Sequence, residues 1–524
     1  MQVFSDLALG FATALEPFVF AMIVAGVFLG LIIGILPGLG GTSGVAILLP
    51  VSLFVAQQNP QDPTGAVALL AGIYWGALFG GVVTSILFNI PGEPWSVALL
   101  FDGFPMAKRL GQPGLALTLA FTSGLFGSLV AAVLFSFFAV PLSEIALRFG
   151  PAELFAVFMM AFATLVGLES GSPLKSIAMI MFGLLLAAVG FDTITGEPRL
   201  AFGQIGLLSG IGFIPVTIGL FGIGEILASA EEAGTSYERI AARLGLRDLL
   251  ESLRQIRRRL GMLGVNTIVG FFIGVLPGTG ATPASFLSYG VARQYAGEKE
   301  RANFGKGEPA GIIAPQAAAN AAGVGSLLPM ITLGVPGSPT AAVIMAGLFV
   351  WGLNPGPLLF TEHRAFVWGL IASIYIGSLI AFVMCFFATP LFASIMRVPY
   401  AVITPIIVLA SILGAYAVNN DMKDVGITIV FGVMGYWLRK MKYPLAPLVV
   451  ALVLGDSTER ELRKGLISSF GNPAVFLGFT ESGFSPVAAA LSVIAIGLFL
   501  LPLTQYVLRR RRTRAEELAS ELTE

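Results

Sequence analysis

The chain has 524 residues, of which 56% are hydrophobic and only 11% carry Asp, Glu, Lys or Arg, and its 30 basic and 30 acidic residues cancel. A soluble domain carries about 25% charged residues, and a mean hydropathy of +0.88 leaves too little polar surface to face water. A soluble multidomain enzyme is therefore excluded, and zero net charge gives no electrostatic basis for binding nucleic acid.

At roughly 20 residues per span plus short loops, about 11 to 13 transmembrane or re-entrant helices fit. The composition predicts an all-α polytopic membrane protein whose immediate partner is the lipid bilayer. The first Lys or Arg is Lys108, so the start lacks the basic region of a secretory signal. It is expected to be retained, lying at the interface before the first apolar run, Phe18 to Leu36. The arginine-rich stretch with Arg239, Arg243, Arg247, Arg254, Arg257, Arg258 and Arg259, and the tail with Arg509 to Arg512 and Arg514, mark the cytoplasmic side. The first has the spacing of an amphipathic helix on the membrane surface. Arg439-Lys440-Met441-Lys442 is a third cytoplasmic candidate. The segments predicted are a first membrane half at 1–228, a charged linker at 229–260, a second membrane half at 261–507 and a charged cytoplasmic tail at 508–524.

The two halves echo each other. Gly34-Ile35-Leu36-Pro37-Gly38-Leu39-Gly40 returns 240 positions later as Gly274-Val275-Leu276-Pro277-Gly278-Thr279-Gly280, carrying Gly30 onto Gly270 and Thr42 onto Thr282. Ile90-Pro91-Gly92 returns 245 positions later as Val335-Pro336-Gly337, with Gly80 on Gly325. Ordered motif pairs at nearly one shift predict an internal repeat. Pro and Gly in apolar surroundings break helices. A freed N–H or C=O in hydrocarbon costs several kcal/mol unless protein, water or ligand satisfies it. Paired breaks therefore predict a cavity at the membrane interior, the pattern of a transporter binding site. The competing reading is a set of packing kinks.

Short polar side chains cluster beside the breaks. Substrate contacts are expected at Gly38, Gly40, Thr42, Ser43, Asn89, Gly92, Gly278, Thr279, Gly280, Thr282, Asn320, Ser326, Gly337 and Ser338. Ion or gating roles are expected at Thr84, Ser85, Glu93, Pro37, Pro91, Pro277 and Pro336, with Thr332 and Thr340 adjoining. Helix N-termini at the breaks would attract an anion and exposed carbonyls would hold Na⁺. No basic side chain lies in the motif cores. A multiply charged anion would then need helix dipoles and a co-bound cation, which predicts Na⁺- or H⁺-coupled symport without another cofactor. Lys108, Arg109, Arg293 and Lys306 are expected at the vestibules. Glu93 is read as a helix-start cap or gate, and Asp102-Gly103 as a turn at the membrane face. Trp75, Trp95, Trp351, Trp368 and Trp437 are read as interfacial anchors. Cys385, the single cysteine, reads as a small buried hydrophobe, and the lone His363 gives no metal site. Metalloprotease, P-loop and nucleophile-elbow patterns are missing, so an enzyme is not expected. Two rival readings remain: an intramembrane enzyme using Glu93 or Asp102, and a non-transporting scaffold for a periplasmic receptor.

These motifs resemble those of the TctA family, the large membrane subunits of tripartite tricarboxylate transporters. The resemblance runs through Asn89-Ile90-Pro91-Gly92-Glu93, Asp102-Gly103-Phe104-Pro105-Met106-Ala107, Phe149-Gly150-Pro151-Ala152-Glu153, Gly196-Glu197-Pro198-Arg199, Tyr443-Pro444-Leu445-Ala446-Pro447 and Leu462-Arg463. It implies the translocating subunit of a secondary transporter in the bacterial inner membrane. A small membrane subunit of about four spans and a periplasmic solute-binding protein that delivers a carboxylate such as citrate would accompany it. The chain departs from the family pattern at Pro315-Gln316-Ala317-Ala318-Ala319-Asn320, where Gln316 stands for an acid and Ala319 for an asparagine, and at Phe79-Gly80-Gly81, where a tyrosine hydroxyl is lost. Both departures bear on ion coupling and substrate choice.

Overall fold

A computed structural model describes residues 2–36, 38–58, 62–168, 172–192, 195–232, 242, 244–395, 400–480 and 483–521. Pro37, Arg239 and Arg243 fall outside them, as do the side chains of the tail arginines. The described chain is overwhelmingly helical; its only strands among the described residues are two short hairpins. In chain order the helices are α1 (Gln2–Ala14), α2 (Pro17–Ile35), α3 (Gly41–Gln58), α4 (Thr64–Phe88), α5 (Val97–Leu100), α6 (Gly103–Lys108), α7 (Pro113–Ala146), α8 (Pro151–Leu168), α9 (Pro173–Ala187), α10 (Ile205–Leu208), α11 (Phe213–Thr217) and α12 (Gly224–Glu232). There follow α13 (Leu246–Arg258), α14 (Leu260–Val275), α15 (Ala281–Tyr295), α16 (Glu298–Arg301), α17 (Ala310–Gly325), α18 (Leu327–Leu333), α19 (Pro339–Val350), α20 (Leu359–Glu362), α21 (Arg364–Ile395), α22 (Tyr400–Asn419), α23 (Met422–Lys440), α24 (Ala446–Ser468) and α25 (Pro486–Glu521). Among the described residues eight helices are long and apolar enough to cross a bilayer, or nine if the bent pair α13–α14 counts as one span. Four shorter apolar helices accompany them.

The chain forms two compact units, and each draws on both halves of the sequence: residues 1–147 with 212–437, and residues 148–211 with 438–524. In the second unit α24 packs on α9 and α25 on α8. Asp192, at the β1–β2 hairpin (Gly190–Phe191 and Pro198–Arg199), takes both oxygens to Arg463 Nη1, at 3.0 and 2.8 Å, while Arg199 pairs with Glu459 at 2.6 Å.

The first unit holds all four Pro-Gly breaks. At its centre α4 is buried along its whole length, and its partner is α2. Gly26, Gly30 and Gly34 on α2 face Gly72, Gly76 and Gly80 on α4, every fourth residue on both. Spacing of four keeps them on one helix face, and without side chains the backbones touch. A Cβ built on Gly34 would sit 2.5 Å from the Ala77 carbonyl oxygen, and one on Gly80 2.6 Å from that of Leu31. In the second half α14 lies on α17 in the same manner. Gly270 faces the Ala318 carbonyl, Gly274 that of Ala322, and Gly325 that of Phe271. Each of these contacts is a first-half contact (Gly30 on Ile73, Gly34 on Ala77, Gly80 on Leu31) displaced by 240 positions on one helix and 245 on the other.

One sequence expectation changes. Trp75, Trp95 and Trp368 are not interfacial anchors, because all three are 1% exposed: their rings fill gaps between helices, and Trp75 stacks on Tyr74. Trp437 is exposed as expected. The N-terminal segment forms a helix packed on α21, with buried Asp6 paired to Arg364. Cys385 is buried.

Candidate functional site

Each break stops one helix and starts another within a few residues. In the first half α2 stops at Leu36, whose N–H donates to Ile33 O at 3.0 Å, and Leu39 N–H donates back to Leu36 O at 3.1 Å. Gly38 has φ +84°, a conformation that suits glycine. In the second half Leu276 donates to Ile273 O at 3.0 Å, Thr279 to Leu276 O at 3.3 Å, and Gly278 has φ +79°. The two turns share these two hydrogen bonds and a left-handed glycine at the matching position. The second pair of breaks begins with left-handed residues: Asn89 (φ 58°) ends α4 and Gly334 (φ 69°) ends α18. Asn is the non-glycine residue that most readily adopts that conformation at a helix end.

The breaks of each half close on each other. Gly278 N–H donates to Pro336 O at 3.2 Å and Gly280 N–H to Gly337 O at 3.0 Å. Gly92 and Gly337 sit against matching backbone: a Cβ on either would lie 2.6 Å from the carbonyl oxygen of Gly34 or Gly274. The halves also meet. Thr42, at the start of α3, and Thr340, at the start of α19, share a hydrogen bond of 2.8 Å between hydroxyls. Tyr74 OH on α4 is 3.5 Å from Ser326 Oγ, which lies 3.1 Å from Ser338 Oγ. Ser338 also caps α19 by accepting from Ala341 N–H at 3.1 Å.

Several expected contacts have their polar atoms engaged locally. Thr84 and Ser85 both donate to Gly81 O, at 3.1 and 2.8 Å, and Thr332 to Leu328 O at 2.8 Å. Thr279 donates to Leu276 O at 2.9 Å. These hydroxyls close helix carbonyls, a common use of Ser and Thr in helices. Asn89 is exposed, so its position requires it through the backbone. Ser43 and Pro336 are buried and Thr282 and Pro91 half-buried beside their breaks, while Gly40 packs on the Glu93 side chain.

The halves differ at one place that matters for charge. Glu93 Oε1 accepts from the N–H of Gly41, the first residue of α3, at 2.7 Å. A carboxylate there answers the positive end of α3. The position corresponding to Glu93 in the second half is Ser338, whose Cβ faces Gly280 at the start of α15. The chain's own carboxylate thus occupies the first helix start, and a hydroxyl faces the second.

The most informative feature joins Asn320, an expected contact, to Gln316, which the sequence marks only as a departure from a family pattern. Gln316 and Asn320, four residues apart on one face of α17, are fully buried, and none of their four amide atoms has a hydrogen-bond partner. A buried amide without partners costs roughly 1–3 kcal/mol per group, so each of these side chains is able to take a polar partner. Both point at Gly124 on α7, where a Cβ would lie 3.1 Å from Gln316 Nε2 and closer still to Asn320 Nδ2. One turn further along the same face, Gly323 lies under Tyr74. Tyr74, Ser326 and Ser338 form a polar chain at the second-half breaks, and Gln316 and Asn320 lie on the same helix, α17, that ends there.

Asp102 does more than turn the chain. It is fully buried. Its Oδ1 accepts from the backbone N–H groups of Gly305, Gly307 and Glu308 at 2.9, 2.9 and 2.8 Å, and its Oδ2 accepts from Tyr289 OH at 2.9 Å. The same loop is held by Arg259, which reaches Glu308 at 2.9 Å and Glu300 at 2.8 Å. Burial pushes the Glu308 carboxyl above its ordinary range, against the pull of Arg259. Both Asp102 oxygens are therefore spoken for by structure. Of the four expected vestibule cations, Lys108 lies over the Phe104 ring at 5.7 Å.

No solved structure is similar to the chain. Residues 20–450 match the family model described as the tripartite tricarboxylate transporter TctA family. Two relatives come from Agrobacterium vitis. An uncharacterized 52.8 kDa protein in the TAR-I ttuC' 3' region is 36% identical over 511 residues, covering 98% of both chains. An uncharacterized protein in the TAR-II ttuC' 3' region is 37% identical over 236 residues, covering 44% of this chain and 94% of its own. The ordered motifs, the helical membrane architecture and the family match over most of the length agree, and the chain belongs to the TctA family of tripartite tricarboxylate transporters.

Proposed function

We propose that this chain is the translocating subunit of a binding-protein-dependent secondary transporter that imports an organic di- or tricarboxylate, driven by a Na⁺ or H⁺ gradient. A small membrane subunit of about four spans and a periplasmic solute-binding protein complete the assembly in the bacterial inner membrane, with the C-terminus cytoplasmic. The observation that carries the proposal is the convergence of the breaks in one unit, bridged between halves by Thr42 and Thr340 and flanked by the unpartnered amides of Gln316 and Asn320. We read the displaced glycine contacts as support for a duplicated ancestor, with each copy supplying one broken pair.

On this reading the substrate carboxylate is held by neutral donors. The amide groups of Gln316 and Asn320 and the N–H groups at the start of α15 share its charge, and broken-segment carbonyls hold the cation. Glu93 already fills the matching place on α3, so the site is asymmetric although the scaffold is doubled. With Gln316 in place of an acid, the proton or cation load falls on other groups of the site. Proteoliposomes holding the full complex test the reading. Labelled carboxylate is expected to accumulate against its gradient only when an inward Na⁺ or H⁺ gradient is imposed. Uptake indifferent to both ions removes symport, chemical conversion of the substrate favours the enzyme reading, and failure to accumulate any carboxylate favours the scaffold reading.

A further inference from the structure

The charged linker ends in α13, and α13 meets α14 at an 82° bend. Because α14 is strongly apolar and runs toward the second-half break, a helix at right angles to it lies along the membrane plane. One face of α13 is fixed to the protein: Ile256 is buried against it, and Ser252 Oγ lies 2.6 Å from Thr122 Oγ1 of α7. A second face is apolar and uncovered. Leu246, Leu250 and Leu253 are 74%, 68% and 49% exposed. At about 100° per residue these three fall within a narrow arc. Arg247, Arg254 and Arg258 lie on its polar flank, with Arg257 at its C-terminal end, and all four are exposed. The ion pair of Arg254 with Glu251, at 3.8 Å, is loose.

We propose that α13 is a docking site for anionic phospholipid, with the leucine stripe in the acyl region and the arginines on headgroup phosphate. Charge complementarity selects the occupant. A zwitterionic lipid would satisfy the leucines and leave the arginines uncompensated, whereas a basic flank beside an apolar stripe is the signature of helices that lie on anionic membranes. Arg259, the residue at the bend, carries the loop contacts to Glu300 and Glu308 described above. Lipid on α13 therefore holds the N-terminal end of the helix that terminates in the Gly274–Gly280 break.

The test uses the purified full chain and three probes: phosphatidylglycerol, phosphatidylcholine and glycerol 3-phosphate. Native mass spectrometry of the wild type is expected to show retained phosphatidylglycerol and no retained phosphatidylcholine. The variant R254Q/R257Q/R258Q is expected to hold phosphatidylglycerol about 100-fold more weakly, three charges each contributing near the surface. Glycerol 3-phosphate is expected not to compete, because it lacks the acyl chains. A second measurement is independent of that variant's folding. Leu250→Cys carries an environment-sensitive fluorophore, since Cys385 is buried, and its emission is expected to move to the blue in phosphatidylglycerol nanodiscs relative to phosphatidylcholine nanodiscs. Unchanged retention in the arginine variant, competition by glycerol 3-phosphate, identical emission in both lipids, or occlusion of α13 by the small membrane subunit would each overturn the proposal.

Discussion

Replacing Asp102 by Asn tests the structural role assigned to it. The substitution keeps shape and one acceptor oxygen but removes the charge. Three backbone N–H groups, from Gly305, Gly307 and Glu308, converge on Oδ1 within 2.9 Å. Hydrogen bonds to a charged group contribute about 1.5–3 kcal/mol and neutral ones about 0.5–1.5, so each of the three loses about 1 kcal/mol. The loop should open more readily by about 3 kcal/mol, roughly a 100-fold change in its local equilibrium. Hydrogen–deuterium exchange over residues 303–309 reads that change directly. Asp102→Ala leaves the three N–H groups without an acceptor and is expected to exchange faster still. Tyr289→Phe removes only the Oδ2 partner and should produce the smallest effect. Exchange in Asp102→Asn equal to the wild type would refute the reasoning, and would return Asp102 to the list of acids free for chemistry.

Asn320→Ala and Gln316→Ala are expected to reduce uptake at least tenfold in proteoliposomes with expression unchanged, since each removes unpartnered amide atoms and no internal hydrogen bond. Gly124→Val should do the same from the opposite wall by displacing Asn320, and its failure to reduce uptake would mean that the amides do not face the solute. At Asn89 the backbone demands the residue, so Asn89→Gly is expected to keep full uptake while Asn89→Ala loses about 1 kcal/mol in thermal stability. Gly30→Val places a branched side chain on the Ile73 carbonyl and is expected to abolish stable expression, whereas Gly261→Val, where nothing is close, should be tolerated.

The sequence made the fold class legible because hydrocarbon allows so few solutions: long apolar runs must be helices, and paired Pro-Gly interruptions must be irregular turns. It also gave the positions of those turns to within a residue. It could not tell which hydroxyls were engaged at home, since Thr84 and Ser85 bonding their own helix look the same in sequence as Thr42 reaching across to Thr340. Three tryptophans were misread because amphipathic rings suit both an interface and a helical core, and only packing decides. Asp102 beside Gly103 carried the ordinary signal of a turn, while its partners lie about 200 positions away. Gln316 and Asn320 were separately visible. Their spacing of four could have joined them, but the residue that both amides pack against is Gly124, on another helix.

The account rests on the two halves meeting at their breaks around the solute, and a reversible cross-link tests this most directly. Thr42→Cys with Thr340→Cys, at positions whose hydroxyls lie 2.8 Å apart, should oxidise to a disulfide within the chain while buried Cys385 stays free. Carboxylate uptake should stop on oxidation and return on reduction. Failure of the pair to cross-link, or full uptake by the cross-linked protein, would contradict it.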